Sequence, residues 1–262
     1  MKVFLFASFI VPTGSMEPTI LPGDFVLVNK LLIGPRIYQD FGFLQGKKTP
    51  YKQIKGMRQI RWNDILVFDA PYLIAGVLKK MPDQYYVKRC VAVPGDTFLI
   101  ENGIFKIRGY TDILDNCENQ LLLSQTANAE FGKEQFNCFP YDTAYHRNIK
   151  HFGPFYIPGK GETIKLNRQN IALYEPVIQY ETEKRITLNE DQIFLDGEPL
   201  MAYTFTQNYY FMAGYYVLGS NDSRYWGLLP EDFVVGKASL IWKSINPETG
   251  NFRWKRFLKS VK

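Results

Sequence analysis

Short apolar runs closed by turn-forming residues recur along this chain, and they leave little room for anything but β-structure. The clearest is TFLI-ENG-IFKI (97–107), where Asn102-Gly103 separates two such runs. Asn-Gly is the strongest short-range hairpin signal, because both residues tolerate the positive φ of a tight two-residue turn. Asp196-Gly197 plays the same part in ITLNEDQIFLDGEPL (186–200). Pro22-Gly23-Asp24 opens the run Phe25-Val26-Leu27-Val28, and Pro94-Gly95-Asp96 ends YYVKRCVAV (85–93). DILVF (64–68), YYVLG (215–219) and FVVGKASLIW (233–242) complete the apolar strands. No helical period is sustained over more than a few turns. The fold class is mainly β, and the 16% aromatic content agrees, since rings pack well on a pleated surface.

The 262 residues make one large domain or two small ones, and 46% apolar against 22% charged residues excludes disorder. Lys and Arg exceed Asp and Glu by five (31 against 26), a mild excess that suits an anionic membrane surface. It is too diffuse to argue for nucleic acid. No stretch approaches the ~20 apolar residues of a membrane-spanning helix, so the chain reads as soluble. The run Val3–Val11 is expected as a buried first strand, a reading compatible with its being the stub of a membrane anchor lost upstream.

Two stretches read as excursions. Residues 34–61 end on the basic cluster Lys52, Lys55, Arg58 and Arg61, expected as a solvated face. Residues 109–185 are polar and irregular. This suggests a scaffold of residues 1–108 and 214–246, interrupted at 34–61, with 109–213 inserted into it. The tail 247–262 interleaves Phe252, Trp254, Phe257 and Leu258 with Arg253, Lys255, Arg256 and Lys259. Such a mixture suits a membrane interface, and equally a packed terminal strand with a solvated rim.

Cys90 lies in an apolar strand and reads as a buried thiol. Cys117 and Cys138 either form a disulfide, in an oxidising compartment, or remain two thiols. With only His146 and His151 and no CxxC spacing, neither a metal nor another cofactor is expected.

The residues with chemistry begin at IVPTGSMEPTILPGD (10–24), which presents Ser15 after a glycine and between two prolines. A serine hydroxyl needs a base to become a nucleophile. Both histidines lie in the irregular excursion, which disfavours a Ser-His-Asp triad. Lys88, inside the apolar YYVKRCVAV, is the better candidate. Desolvation lowers the pKa of a buried lysine toward the range of a working base. Lys88 and Arg89 point to opposite faces of a strand, so one can turn inward while the other pairs or meets solvent.

Four ordered blocks, PTGSMEPT (12–19), NDILVF (63–68), YYVKRCVAVPGD (85–96) and LGSNDSRYWGLLPEDFVVGKA (218–238), resemble the type I signal peptidases, membrane-anchored serine proteases with a Ser/Lys dyad. The resemblance implies a signal-peptidase-like scaffold of antiparallel sheets with a large β-rich inserted cap. It implies Ser15 as nucleophile and Lys88 as general base, with Thr13 and the Ser15 N–H forming the oxyanion hole. Ser220 would orient the lysine, and Asp222 and Arg224 would form a supporting ion pair. Phe9, Val11, Met16, Ile20, Val26, Val67 and Val87 would line shallow pockets for small side chains at −1 and −3. The substrate, a preprotein signal peptide of Ala-x-Ala type, would lie as an added strand beside Ser15.

Two departures stand out. The family's fourth block reads GDNRxxSxDSR, whereas here Gly219 runs straight into Ser220, so the Asp-Asn-Arg loop is read as absent and the segment as shortened. Asn63 replaces the usual glycine before Asp64, and Asn tolerates the left-handed backbone of such a turn. The implied setting is the bacterial inner membrane, with a monomeric catalytic domain on its outer, periplasmic face. The other readings are a self-cleaving repressor-type Ser/Lys peptidase and a non-catalytic scaffold relative. Only 14 residues precede Ser15, which disfavours the first.

Overall fold

The β-rich pattern folds chiefly into one large antiparallel sheet. The computed structural model describes residues 5–38, 51–110, 114 and 117–261. The sheet's strands are β1 (Phe6–Ile10), β2 (Asp24–Asn29), β3 (Ile65–Ile74), β4 (Val77–Ala92), β5 (Tyr209–Ala213), β6 (Leu229–Pro230), β7 (Val234–Ser244) and β8 (Lys259–Ser260). They are ordered β1-β2-β7-β3-β4-β5-β6, with β8 also paired to β7. β3 and β4 form a long hairpin whose two-residue turn is Ala75-Gly76, with φ of 49° and 78°. Two positive φ values match the right-handed twist of the flanking strands.

The helices are α1 (Cys117–Gln125), α2 (Lys133–Phe136), α3 (Ile171–Thr182) and α4 (Ser223–Trp226). Three of them fall in the stretch 109–213, expected as a β-rich cap with a polar, irregular part at 109–185, where helices stand beside the strands. Its last strand, β5, pairs with β4 and belongs to the large sheet. The hairpin at 97–107 instead pairs with Phe152–Tyr156 in a separate sheet. The two sheets meet through aromatic rings: Phe98 stacks on Phe211 of β5 at 4.2 Å between centroids. Much of the aromatic surplus is core, because Phe68, Phe98, Phe155, Phe205, Phe211 and Phe233 are fully buried.

Several expectations are corrected. β1 is an edge strand with alternating exposed and half-buried residues, paired among the described residues with β2 alone; it is not a buried strand. Met1 to Phe4 lie outside the described residues. YYVLG (215–219) is a loop with a short 3-10 turn at Val217–Gly219. Cys138 is a free, buried thiol, so the Cys117–Cys138 pair is not formed; the Cys117 side chain lies outside the described residues. In the first excursion, Arg36–Tyr38 pairs with Tyr51–Gln53, while 39–50 and the Lys52 side chain lie outside the described residues. Lys55 and Arg61 are exposed as expected, whereas Arg58 is half-buried, both its terminal nitrogens donating to Asp64 at 2.7 and 2.8 Å.

The interior divides into two apolar clusters. The larger lies between the sheet and the inserted stretch. The smaller contains Val11, Met16, Ile20, Val26 and Val67, with Phe9, Val87 and Tyr215 packed at its margin. The candidate nucleophile stands above this second cluster.

Candidate active site

Ser15 sits in a turn-rich segment between β1 and β2, tied down at both ends. Val11 N–H donates to the Asp24 carbonyl at 2.9 Å, and Gly23 N–H returns a bond to the Val11 carbonyl at 2.8 Å. Met16 and Ile20 plunge into the smaller cluster with no exposed surface. The Asp24 carboxylate accepts from Leu21 N–H at 2.8 Å and from Arg256 Nε at 3.0 Å. Arg256 also donates to the Thr19 carbonyl at 2.9 Å, so the tail braces the serine segment. Sequence reasoning missed this brace. The Pro22-Gly23-Asp24 signal marked the turn but not its distant cation.

Lys88 comes from β4, opposite Leu66 of β3, and its Nζ lies 2.6 Å from Ser15 Oγ in a hydrogen bond. Both residues are buried, with 4% of Lys88 and 9% of Ser15 exposed. Burial lowers the Lys88 pKa to about 8; Asp222 nearby opposes that shift and Arg224 reinforces it. A deprotonated amine is therefore accessible near neutral pH, within reach of the hydroxyl it would deprotonate. The lysine also sits 5.6 Å from the centre of the Tyr86 ring. Its neighbour Arg89 is likewise buried. It donates to the Asn63 carbonyl at 3.1 Å and stacks over Tyr215 at 5.6 Å. Asn63 holds φ at 66°, the left-handed turn anticipated for it.

Asp222 and Arg224 form a two-pronged ion pair with Nε and a terminal nitrogen each 2.8 Å from a carboxylate oxygen, both residues having no exposed surface. Although burial pushes the Asp222 carboxyl up, the Arg224 guanidinium beside it holds it below the usual range. Asp222 also caps α4 and accepts from Gly214 N–H at 3.0 Å. Arg224 reaches the Val217 carbonyl at 2.7 Å. The pair thus fixes the loop 214–222 beside the catalytic candidates.

Ser220 differs from expectation. Its Oγ is buried and has no hydrogen-bond partner among the described residues, so it does not bond to Lys88 here. It is nonetheless at the site. A Cβ on Gly214 would lie 2.1 Å from Ser220 Oγ and 2.9 Å from the Ser15 carbonyl oxygen. Only glycine fits there, and Tyr216 N–H donates to the same Ser15 carbonyl at 3.0 Å. Gly214 also stands six positions before Ser220, the spacing between the glycine and the first serine of the pattern GDNRxxSxDSR. The segment is full length, and Tyr215, Tyr216 and Val217 occupy the Asp-Asn-Arg positions. Reading Gly219 as that glycine made it look shortened.

Thr13 is exposed beside Ser15. The seven apolar residues assigned to pockets are brought together in the smaller cluster. Val11, Met16, Ile20, Val26 and Val67 are buried beneath the site and support it from below, while Phe9 and Val87 reach its margin.

The sequence profile described as "Signal peptidase, peptidase S26" matches residues 1–243. The chain belongs to this family. It is 31% identical to the Signal peptidase I of Buchnera aphidicola subsp. Schizaphis graminum over 93% of this chain and 70% of that protein. The Haemophilus influenzae Signal peptidase I is 25% identical, covering 100% of this chain and 71% of the relative. For the Aquifex aeolicus Signal peptidase I the identity is 26%, over 95% and 82%. In this member of the S26 peptidases, the segments PTGSMEPT (12–19) and YYVKRCVAVPGD (85–96) meet at Ser15 and Lys88.

Proposed function

We propose that this signal peptidase family member cleaves N-terminal signal peptides from preproteins after small residues, with Ser15 as nucleophile and Lys88 as general base. The observation that carries the reading is the buried 2.6 Å contact between Lys88 Nζ and Ser15 Oγ. Neutral Lys88 takes the Ser15 proton as Oγ attacks the scissile carbonyl carbon. It then gives that proton to the departing amine, leaving an acyl-enzyme. A water attacks the ester, its proton passes to Lys88 and on to Ser15 Oγ, and the acid product leaves. The Ser15 N–H and the Thr13 hydroxyl are the donors proposed for the oxyanion, an arrangement that favours the charge developing in the transition state. Ser220 would turn its unpartnered hydroxyl toward the lysine when substrate excludes water.

The edge of β4 supports substrate binding by strand addition. β5 pairs with β4 at Arg89, Cys90 and Ala92 and then turns away at Gly214. Among the described residues, no named strand continues that ladder along Tyr85–Lys88. An extended peptide placed there presents a scissile bond to Ser15, over the apolar cluster that supports the small-residue preference.

A membrane surface is the proposed setting, in a bacterial inner membrane with the catalytic face outward and the protein monomeric. Among the described residues, no helix is long and apolar enough to cross a membrane. Support comes from the surface: Phe6, Ile10, Trp254, Phe257 and Leu258 are exposed, with Lys255 and Lys259 beside the tail aromatics. Rings with adjacent cations suit an anionic lipid interface.

The test is incubation of the protein with an Ala-x-Ala preprotein in detergent or lipid. The reading expects a mature product whose first residue follows the second alanine. An intact preprotein overturns it.

A further inference from the structure

The inserted stretch grips the loop that carries Ser220, and it does so on both sides of that serine. Upstream, Gln135 Nε2 of α2 donates to the Leu218 carbonyl at 2.7 Å, two residues before Ser220. Downstream, Phe139 N–H donates to the Arg224 carbonyl at 2.8 Å. The Tyr225 hydroxyl of α4 donates back to the Gln135 carbonyl at 2.8 Å, and the Tyr141 hydroxyl donates to the Tyr225 carbonyl at 3.0 Å. These three side-chain bonds join residues 83, 90 and 84 positions apart, so local turn geometry does not produce them. Each ends on a backbone carbonyl, and a carbonyl held by a distant donor fixes the main chain that carries it.

The loop's own bonds leave that task to Gln135. Arg224 takes the Val217 carbonyl at 2.7 Å, and Gly219 N–H donates to the Tyr216 carbonyl at 3.1 Å. The Leu218 carbonyl is where the 3-10 turn before Ser220 is held from the inserted stretch. The buried Ser220 hydroxyl has no partner among the described residues, so the main chain decides where it sits.

We infer that Gln135 is a positioning residue for the reaction, which with Tyr225 clamps the turn 217–219 and holds the Ser220 hydroxyl beside the catalytic pair. The inference rests on the peptidase reading above and deepens it, giving the inserted stretch a part in the chemistry. Gln135 touches neither substrate nor the reacting atoms; it acts through Ser220.

The test measures kcat and KM on an Ala-x-Ala preprotein for wild type, Gln135→Met, Tyr225→Phe, Ser220→Ala and the double variant Gln135→Met/Ser220→Ala. Both Gln135 and Tyr225 are half-buried, and Met and Phe keep most of their bulk while removing the donor. Gln135→Met and Tyr225→Phe should each lower kcat roughly fivefold with KM unchanged, the scale of one hydrogen bond. In the Ser220→Ala background, Gln135→Met should have no further effect, because residues that act as a unit are not additive. Wild-type kcat in both Gln135→Met and Tyr225→Phe overturns the positioning role and leaves the peptidase reading standing. So does an equal loss from Gln135→Met with and without the Ser220 hydroxyl, which marks a purely structural contact. Failure of wild type to cleave the preprotein overturns the peptidase reading and the positioning role with it.

Discussion

Lys88 Nζ and Ser15 Oγ lie 2.6 Å apart, both shielded from solvent, although 73 positions separate them in the chain. Burial draws the lysine to a pKa of about 8. If Lys88 acts as the base, only its neutral form is active. kcat/KM should then climb about tenfold per pH unit below about 8 and level off above it, because that parameter reports the free enzyme's groups. A pH–rate profile from 6 to 10 checks this. An inflection near the ordinary lysine value, or a flat profile, contradicts it.

The same burial makes Lys88 a liability for stability. Below pH 8 the ammonium is buried in the folded state and solvated in the unfolded one. Between about 8 and 10.5 only the unfolded chain keeps the proton, so stability rises with pH across that window. Lys88→Met should therefore be more stable than wild type by ~3 kcal/mol at pH 7. The difference should vanish above the ordinary lysine pKa. Urea titrations at pH 7 and pH 10.5 measure both.

Much of this arrangement was legible in the sequence, for identifiable reasons. The Asn102-Gly103 turn forms with φ of 48° and 81°, since those residues accept a conformation that most others resist. Lys88 stood out because a lysine in an apolar strand needs a reason to be there. Helix α3 was missed. Its apolar residues Ile171, Tyr174, Val177 and Ile178 do share a helical face, but Pro176 in its interior reads as a breaker. The 215–219 loop was missed for another reason. Its apolar residues resemble a strand, yet Gly214 turns the chain against the Ser15 carbonyl, and Val217 is buried to bond Arg224. Contacts between residues far apart in sequence, such as Asp24 with Arg256, leave no local pattern to read.

That last contact makes its own prediction. Asp24 is fully buried, and Arg256 supplies its charged partner. Arg256→Met should destabilise the protein by about 3 kcal/mol, because removing one member leaves a buried charge uncompensated. The double variant Asp24→Asn/Arg256→Met should lose less than the two single variants summed. Chemical denaturation of all four proteins gives the coupling, and strict additivity would show that the brace carries no energy.

The central claim is that Ser15 and Lys88 act as one catalytic unit. The most direct measurement is the single-turnover rate of Ala-x-Ala preprotein cleavage by wild type, Ser15→Ala and Lys88→Ala, each checked for an intact fold. The account predicts that both variants lose at least ~10³-fold, with the double variant no worse than either single one, as for residues that work together. Loss in Ser15→Ala with retention in Lys88→Ala would contradict the dyad, and retention in Ser15→Ala would contradict the nucleophile itself.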